Sequence, residues 1–166
     1  MKKTWIQKIE DKPNFPKILK LEKGFPCYNA VHKMGAEEGD SIVLVNPSEI
    51  LPFMTEVLKG KIITLFEICK QIAIRYKVKG CCTLTTGIFI MSIANAIKEA
   101  KSTKNSPDLV SIPYWRTLKS EGYLNEKYPG GIEALIKLLT KEGYKIRAKG
   151  KKYQVFDYEK YLIQFY

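Results

Sequence analysis

Apolar residues recur at positions i, i+3, i+4 and i+7 in one central stretch of the chain: Leu65, Ile68, Cys69 and Ile72. Thr64 and Glu67 precede and interleave with this stripe at the spacing of a capping box, so a helix is predicted from this point. A second helix is predicted from about residue 86 to residue 101. Because that helix is apolar on nearly every side, most of it should be buried. The short connection through Lys79-Gly80 makes the pair a candidate helix-turn-helix.

The chain before this pair has a less regular pattern. Residues 46–49 combine a capping side chain, an early proline and a glutamate, which predicts a helix start. Pro52 should shorten or kink that helix, which is expected to end before Gly60. The first 45 residues are punctuated by proline and glycine. They predict a basic, partly irregular arm with extended pieces at residues 17–21 and 41–45.

The pattern after the second helix predicts a wing. Residues 109–118 have the pattern of a strand, residues 119–122 that of a turn, and Tyr123-Leu124 that of a returning strand. A further helix, ending before Gly143, is predicted from a four-residue apolar stripe: Ile132, Leu135, Ile136 and Leu139.

The tail of the chain alternates as a β-hairpin does. Residues 144–148 and 153–156 flank a Lys149-Gly150-Lys151 turn, and Asp157 is expected to cap a last short helix. The elements together predict an α+β fold, namely a winged helix-turn-helix with an added C-terminal β-hairpin and short helix. We expect three parts, which are the basic arm, the winged-helix domain, and the hairpin and helix packed on it: residues 1–45, 46–143 and 144–166.

Length and charge narrow the class of function. A chain of 166 residues suffices for one domain with a core. Its net charge of +11 favours a polyanionic partner through counterion release, although a merely solvated lysine-rich surface has the same composition. The basic residues near the C-terminus are interleaved with Tyr144 and Tyr153. They form either a solvated hairpin or a patch that follows a nucleic-acid backbone: Lys141, Lys145, Arg147, Lys149, Lys151 and Lys152.

The spacing of the cysteines argues against a metal-binding protein, and the length of the apolar runs argues against a membrane-spanning one. The four cysteines lack CxxC spacing, and the single histidine, His32, cannot complete a convincing zinc site. We therefore expect the cysteines to be buried and reduced, and we expect neither a metal nor a cofactor. No apolar run has the length of a membrane span, and no apolar segment follows Lys2-Lys3 as in a secretion signal. The expected location is the cytoplasm, in association with the nucleoid, without a membrane partner.

Several short motifs resemble one known family, the alkylguanine-DNA alkyltransferases (methylated-DNA–protein-cysteine methyltransferases). The stretch G-K-I-I-T-L-F-E-I from Gly60 is similar to the family's G-x-V-x-T-Y-G-x-I-A, and I-P-Y-W-R from Ile112 stands where the family has I/V-P-C-H-R. The later motifs S-E-G, Y-P-G-G and L-L-T-K-E-G follow in the family's order. The resemblance covers about residues 50–143 and is that of a divergent alkyltransferase-like branch.

The departures from the family motif concern the chemistry. In the family, the cysteine of P-C-H-R takes an alkyl group from the O6 atom of guanine, and the histidine with a distant glutamate activates its thiol. Here Tyr114 stands at the cysteine position and Trp115 at the histidine position. A phenol with a pKa near 10 is only about a thousandth ionised at neutral pH. The resemblance thus implies a protein that is not an enzyme, in which Glu142, at the family's glutamate position, has nothing to orient because the imidazole is missing.

The resemblance also implies a place for a flipped base. Alkyltransferase-like proteins replace the same cysteine with a large residue, bind alkylated DNA and hold the flipped lesion in the old active site. An aromatic ring at the floor of that pocket could stack on a base without forming a bond. The implied pocket residues are Pro113, Tyr114, Trp115, Arg116 and Glu142. Two roles stay open for Arg116: it either braces the loop or contacts DNA. Two also stay open for Trp115: it either anchors the loop or stacks on a base.

The second predicted helix lacks the arginine that family members carry in their recognition helix. No charged residue lies between Lys79 and Lys98. Phosphate contacts are therefore expected from polar side chains, from backbone N–H groups at helix starts and from lysines outside the helix. The candidate DNA-contacting residues are Thr64, Thr85, Thr86, Ser92, Asn95, Lys119, Lys149, Lys151 and Lys152.

The function predicted from these observations is that of a non-catalytic DNA-binding protein of the alkyltransferase-like type that recognises alkylated or flipped bases in DNA repair. Its expected partners are duplex DNA, including damaged DNA, and a repair protein, and the chain is expected to be a monomer. One alternative is a protein-interaction or general nucleic-acid-binding winged-helix module with no lesion recognition. Another is an alkyl acceptor in which Cys81 or Cys82 replaces the missing cysteine.

Overall fold

The computed structural model describes residues 2–11, 15–104 and 106–165. The helices in these ranges are α1 Trp5–Glu10, α2 Tyr28–His32, α3 Pro47–Thr55, α4 Leu65–Tyr76, α5 Thr83–Thr103, α6 Pro107–Val110 and α7 Gly131–Lys141. The strands are β1 Lys17–Lys20, β2 Ser41–Leu44, β3 Ile63–Thr64, β4 Gly80–Cys81, β5 Thr117–Leu118, β6 Ile146–Lys149 and β7 Lys152–Val155. Short 3₁₀ turns follow at Tyr114–Arg116, Ser120–Gly122 and Tyr158–Tyr161. These helices and small sheets confirm the predicted α+β fold class.

The N-terminal segment is tied to the connection between α4 and α5. β2 pairs with β1 in antiparallel and with β4 in parallel orientation, and β4 lies in that connection. A Cβ atom at Gly80 of β4 would lie only 2.4 Å from Val31 Cγ1 of α2, which explains the glycine at this close approach. The segment before residue 46 thus has more regular structure than predicted, because α1 and α2 accompany the two extended pieces.

The predicted helix-turn-helix is present as α4 and α5. Thr64 Oγ1 accepts a hydrogen bond from Glu67 N over 3.3 Å at the start of α4. α5 begins at Thr83, earlier than predicted, and runs to Thr103. Its inner face packs into the core through four residues that are at most 3% exposed: Ile90, Ile93, Ala94 and Ile97. Neither α5 nor any other helix in the described ranges is long and apolar enough to cross a membrane.

The wing segment is where the prediction was wrong in detail. Residues 109–118, predicted as extended, instead contain the end of α6, the turn Tyr114–Arg116 and β5. Prolines explain much of this, because Pro107 occupies the first turn of α6 and Pro113 cannot donate a backbone hydrogen bond to a strand partner. β5 pairs with β3, and Tyr123 forms its bridge with Gln154 of β7. The returning strand therefore joins the C-terminal hairpin rather than a local one.

α7 and the C-terminal hairpin agree with the predicted elements. α7 is followed by Gly143 at φ +94°, a conformation that suits the end of a helix. β6 and β7 form the antiparallel pair, with Gly150 in the turn at φ +63°. The last helix is only a 3₁₀ turn, and Asp157 precedes it without a capping hydrogen bond from its side chain.

Candidate functional site

The P-Y-W-R motif, residues 113–116, lies beside the end of α7 and contacts Glu142 there. Trp115 Nε1 donates to Glu142 Oε1. Arg116 Nε donates to the same oxygen over 3.1 Å, and Arg116 Nη2 forms an ion pair with Glu142 Oε2. Arg116 Nη1 donates to the Val57 carbonyl over 2.7 Å, which connects the motif to the segment after α3. Glu142 thus orients both side chains, and the expectation that it has nothing to orient is wrong.

This cluster is an interior ion pair. The side chains of Arg116 and Glu142 are only 13% and 10% exposed. Burial raises the pKa of Glu142, but hydrogen bonds from Arg116 and Trp115 and the charges of Arg116 and Lys59 outweigh it, so the pKa lies below the ordinary glutamate value. The carboxylate is therefore ionised at neutral pH and is occupied by protein donors. Of the two roles left open for Arg116, its contacts are those of a brace for the loop.

Tyr114 lies in the protein interior. The residue is 6% exposed. Its ring makes edge-to-face contacts with Trp115 and Tyr128 at centroid distances of 5.4 and 5.7 Å. Burial raises the pKa of the Tyr114 phenol above the ordinary tyrosine value, which makes the phenolate rarer still at neutral pH. A nucleophile at this position would thus be both poorly ionised and enclosed.

The structure brings the predicted base-pocket residues together but leaves little open space among them. Five cavities of about 220–500 Å³ in the described ranges are lined by other residues and by none of these: Pro113, Tyr114, Trp115, Arg116 and Glu142. A base that stacks on Tyr114 therefore requires Tyr114 or Trp115 to leave its present contacts. Stacking of a flipped base stays a prediction.

The polar DNA-contact candidates on α4 and α5 are turned toward the protein. Three of them are 3%, 1% and 7% exposed: Thr64, Thr86 and Ser92. The side chains of Ser92 and Asn95 each donate to the backbone carbonyl four residues earlier, over 2.9 Å. Thr85 is half-buried, with Oγ1 3.4 Å from Cys82 Sγ. In this conformation the hydroxyl groups of Thr64, Thr86 and Ser92 are not accessible to a phosphate.

In the first half of α5, the face that meets solvent is apolar instead. Four residues share it at the spacing i, i+3, i+4 and i+7: Leu84, Gly87, Ile88 and Met91. Leu84 and Ile88 are each 50% exposed. This face forms one wall of a cavity of about 270 Å³, whose other wall holds Lys119 and residues 125–127. The sequence pattern does not indicate this face, because a helix that is apolar on every side does not reveal which side meets solvent.

Positive groups border the same cavity. Lys119 Nζ lies 3.7 Å from Glu126 Oε2 in an exposed ion pair, and Lys127 is exposed beside it. A backbone hydrogen bond and the charges of Lys119 and Lys127 hold the pKa of Glu126 below its ordinary value, although burial opposes them. α5 starts after Cys82 without a hydrogen bond from a capping side chain, so no side chain satisfies its first backbone N–H groups there.

The C-terminal hairpin concentrates further positive charge. Between residues 145 and 156 the chain has no Asp or Glu and five basic residues: Lys145, Arg147, Lys149, Lys151 and Lys152. All five are exposed. Within the described ranges, none of the five has a carboxylate oxygen within 4.0 Å. The predicted contact residues Lys149, Lys151 and Lys152 are therefore accessible to a phosphate backbone.

Acidic side chains flank one side of the hairpin. A cavity of about 220 Å³ is lined by Arg147 and Lys149 together with three carboxylates: Glu121, Asp157 and Glu159. Arg147 is also held in place, because Gln154 Oε1 accepts from its Nε and Nη2 over 2.9 and 2.8 Å. Lys151 and Lys152 lie outside that cavity, and Lys152 Nζ lies 5.5 Å from the centroid of the Tyr123 ring.

All four cysteines are free and buried: Cys27, Cys69, Cys81 and Cys82. Cys81 is 0% and Cys82 6% exposed. A hydrogen bond with Cys69 lowers the pKa of Cys81, but a thiol without solvent contact cannot reach the alkyl group of a DNA base. The alkyl-acceptor alternative therefore has no accessible thiol. The described ranges also contain no group of three or more side chains that could hold a metal ion.

The fold and its surface define an α+β helix-turn-helix protein with exposed positive charge. No family model matches the chain, and no curated protein matches it. Among solved structures it is similar to S. pombe Atl1 in complex with damaged DNA containing O6-carboxymethylguanine, with 19% identity and a TM-score of 0.47. It is also similar to S. pombe ATL in complex with DNA, with 15% identity and a TM-score of 0.49. Each comparison covers 71% of this chain and 94% of the other. Both TM-scores are below 0.5, so this likeness assigns no function to the chain.

Proposed function

We propose that this chain is a non-catalytic DNA-binding protein of the alkyltransferase-like type. The observation that carries the DNA-binding part is the C-terminal hairpin, with its five exposed basic residues and no acidic residue between 145 and 156. Lysines that neutralise phosphates release condensed counterions, which drives binding without regard to sequence. The net charge of +11 extends the same attraction over the whole molecule.

A second contact region at the start of α5 supports the proposal. The uncapped backbone N–H groups there, with Lys119 and Lys127 across the cavity, suit phosphates on either side of a groove. The predicted contact residue Lys119 is therefore retained in the proposal. Backbone amides take the place of the hydroxyl groups of Thr64, Thr86 and Ser92, which the structure buries.

The non-catalytic part rests on the motif residues. Alkyl transfer requires an accessible nucleophile with a base beside it. Tyr114 is buried, and Glu142 is occupied by Trp115 and Arg116. A closed hydrogen-bonded cluster thus stands where the resemblance places the acceptor machinery of the family.

Recognition of alkylated or flipped bases is the narrower part of the proposal. Its support is the aromatic pair Tyr114 and Trp115 at the motif, since aromatic rings stack on extruded bases. Stacking of a base on either ring requires the contact between Tyr114 and Trp115 to open. Location in the cytoplasm with the nucleoid, and transfer of a bound lesion to a repair protein, follow from this proposal.

The test replaces Lys149, Lys151 and Lys152 with glutamine. If these side chains contact phosphates, duplex binding should weaken for all sequences alike. The slope of log K against log salt should flatten by roughly one unit per lost contact. Fluorescence anisotropy with a labelled duplex at several salt concentrations measures both.

The matched control replaces Lys17, Lys20 and Lys23 with glutamine, since these exposed lysines lie at the N-terminal sheet. Each variant loses three positive charges, so a loss of slope confined to the hairpin variant locates the contact. If the slope of log K against log salt is equal for wild type and the hairpin variant, the hairpin lysines are merely solvated and do not contact phosphates.

One observation favours a second candidate function, a protein-interaction module. The exposed face of α5 is apolar, with Leu84 and Ile88 each half-exposed, and such faces also bind protein partners. That function predicts DNA binding that is weak at all salt concentrations. The salt titration therefore separates the two functions.

A further inference from the structure

The exposed face of α5 is a contiguous apolar stripe: Leu84, Gly87, Ile88 and Met91. Single exposed apolar side chains are ordinary on protein surfaces, but a stripe that borders a cavity is typical of a contact surface. No charged residue occurs in α5 before Lys98, so the stripe itself offers nothing to a phosphate. Its contact must be with something apolar.

Gly87 gives the stripe its shape. Glycine in a helix interior lowers stability relative to alanine, so its presence calls for a reason. A Cβ atom at Gly87 would meet Leu65 Cδ2 at 3.6 Å, an ordinary contact distance, so packing inside the protein does not demand glycine. The missing side chain instead leaves a recess between Leu84 and Ile88, which is part of the cavity of about 270 Å³.

The groups around the stripe indicate what it contacts. Lys119 and Lys127 line the same cavity together with Glu126, which pairs with Lys119, so one positive charge remains in excess. Leu84 lies in the first, uncapped turn of α5. Cations suit phosphates, whereas apolar side chains beside them suit the faces of bases and sugars. A nucleic acid combines these two chemistries, because its phosphates alternate with the faces of bases and sugars.

Resting on the proposed DNA binding, we propose that Leu84 and Ile88 form an apolar wedge that enters a base step of the bound duplex and partly unstacks it. Leucine, isoleucine and methionine act in this way in proteins that kink DNA. Pyrimidine–purine steps, above all TA, unstack most easily. The wedge therefore predicts tighter binding, by roughly three- to tenfold, to a duplex with a central TA step than to one of equal composition without it.

The test uses a short duplex with 2-aminopurine in place of the adenine of a single central TA step. The fluorescence of 2-aminopurine rises when the base loses its stacking neighbour, so binding of the wild-type protein should increase the signal. The variant Leu84→Ala with Ile88→Ala should bind with an unchanged salt slope but without this increase. The control Ile74→Ala removes an apolar side chain that is 65% exposed on α4, and it should behave as wild type.

Two results would overturn the wedge. One is wild-type binding with ordinary salt dependence but no rise in fluorescence, which would leave the stripe free for a protein partner. The other is an equal rise for wild type and the double variant. Both differ from failure of the proposed function, in which the wild-type protein shows no salt-dependent binding to any duplex. Circular dichroism of each variant verifies that it is folded.

Discussion

Replacement of Glu142 with glutamine is expected to lower the free energy of unfolding by about 3–5 kcal/mol, the range for breaking a buried ion pair. Glutamine keeps the shape of the side chain but leaves the guanidinium of Arg116, which is only 13% exposed, without its counter-charge. It also weakens the hydrogen bond from Trp115. Denaturant unfolding followed by circular dichroism measures the change, with Glu133→Gln on the exposed side of α7 as control.

The effect should depend on pH with a definite sign. The pKa of Glu142 is lowered in the folded state, so its contribution is fully present above the ordinary value of about 4.3. It is lost as the pH falls through the lowered folded value. The difference between wild type and Glu142→Gln should therefore shrink in acid. A difference that is small at neutral pH, or that grows in acid, would contradict the buried-pair account of this cluster.

Replacement of Tyr114 with alanine is expected to cost about 3–5 kcal/mol of the free energy of unfolding, as for other buried aromatic residues. The ring fills the space between Trp115 and Tyr128, and alanine would leave a cavity there. Tyr114→Phe keeps the ring and its packing, so it should cost less than about 1.5 kcal/mol, the range for volume-conserving core substitutions.

Thermal and denaturant unfolding of the two variants gives the comparison. A stable Tyr114→Ala protein would mean that Tyr114 is not a core residue and would favour the open base pocket that the resemblance implies. If Tyr114→Ala folds at low temperature, its affinity for intact duplex should match that of wild type, because the proposed phosphate contacts lie on the hairpin and at α5.

The local sequence pattern predicted the helices that have one apolar face and a recognisable residue at one end. α4 follows from its apolar stripe and the Thr64 cap, and α7 from a stripe that ends before Gly143. The C-terminal hairpin follows from alternation around Gly150. In each case the residues that determine the element are neighbours in sequence, so the pattern contains the answer.

The remaining features depend on contacts between distant residues. Residues 109–118 were expected to be extended, but the partner of β5 is β3, more than fifty residues earlier. The hydrogen bond from Trp115 to Glu142 spans 27 positions, and no local pattern indicates that an indole occupies the place expected for an imidazole. Pairings of this kind are set by the tertiary fold.

The candidate site shows the same division. The hairpin lysines could be named from sequence because charged side chains at a turn are exposed in any fold that contains the turn. The polar residues of α5 could not be assigned a side, because apolar residues surround them in every direction around the helix. The core packs on the arc of Ile90, Ile93 and Ile97, which turns Ser92 inward and leaves Leu84 and Ile88 exposed.

The central claim is that the protein binds duplex DNA reversibly through its phosphates and does not react with it. The most direct measurement titrates duplexes with and without O6-methylguanine at about 50 and 200 mM salt, and then determines the intact mass of the recovered protein. The account predicts affinity that falls at least about tenfold between the two salt concentrations, and an unchanged mass. A mass increase of one alkyl group, or binding indifferent to salt, would contradict it.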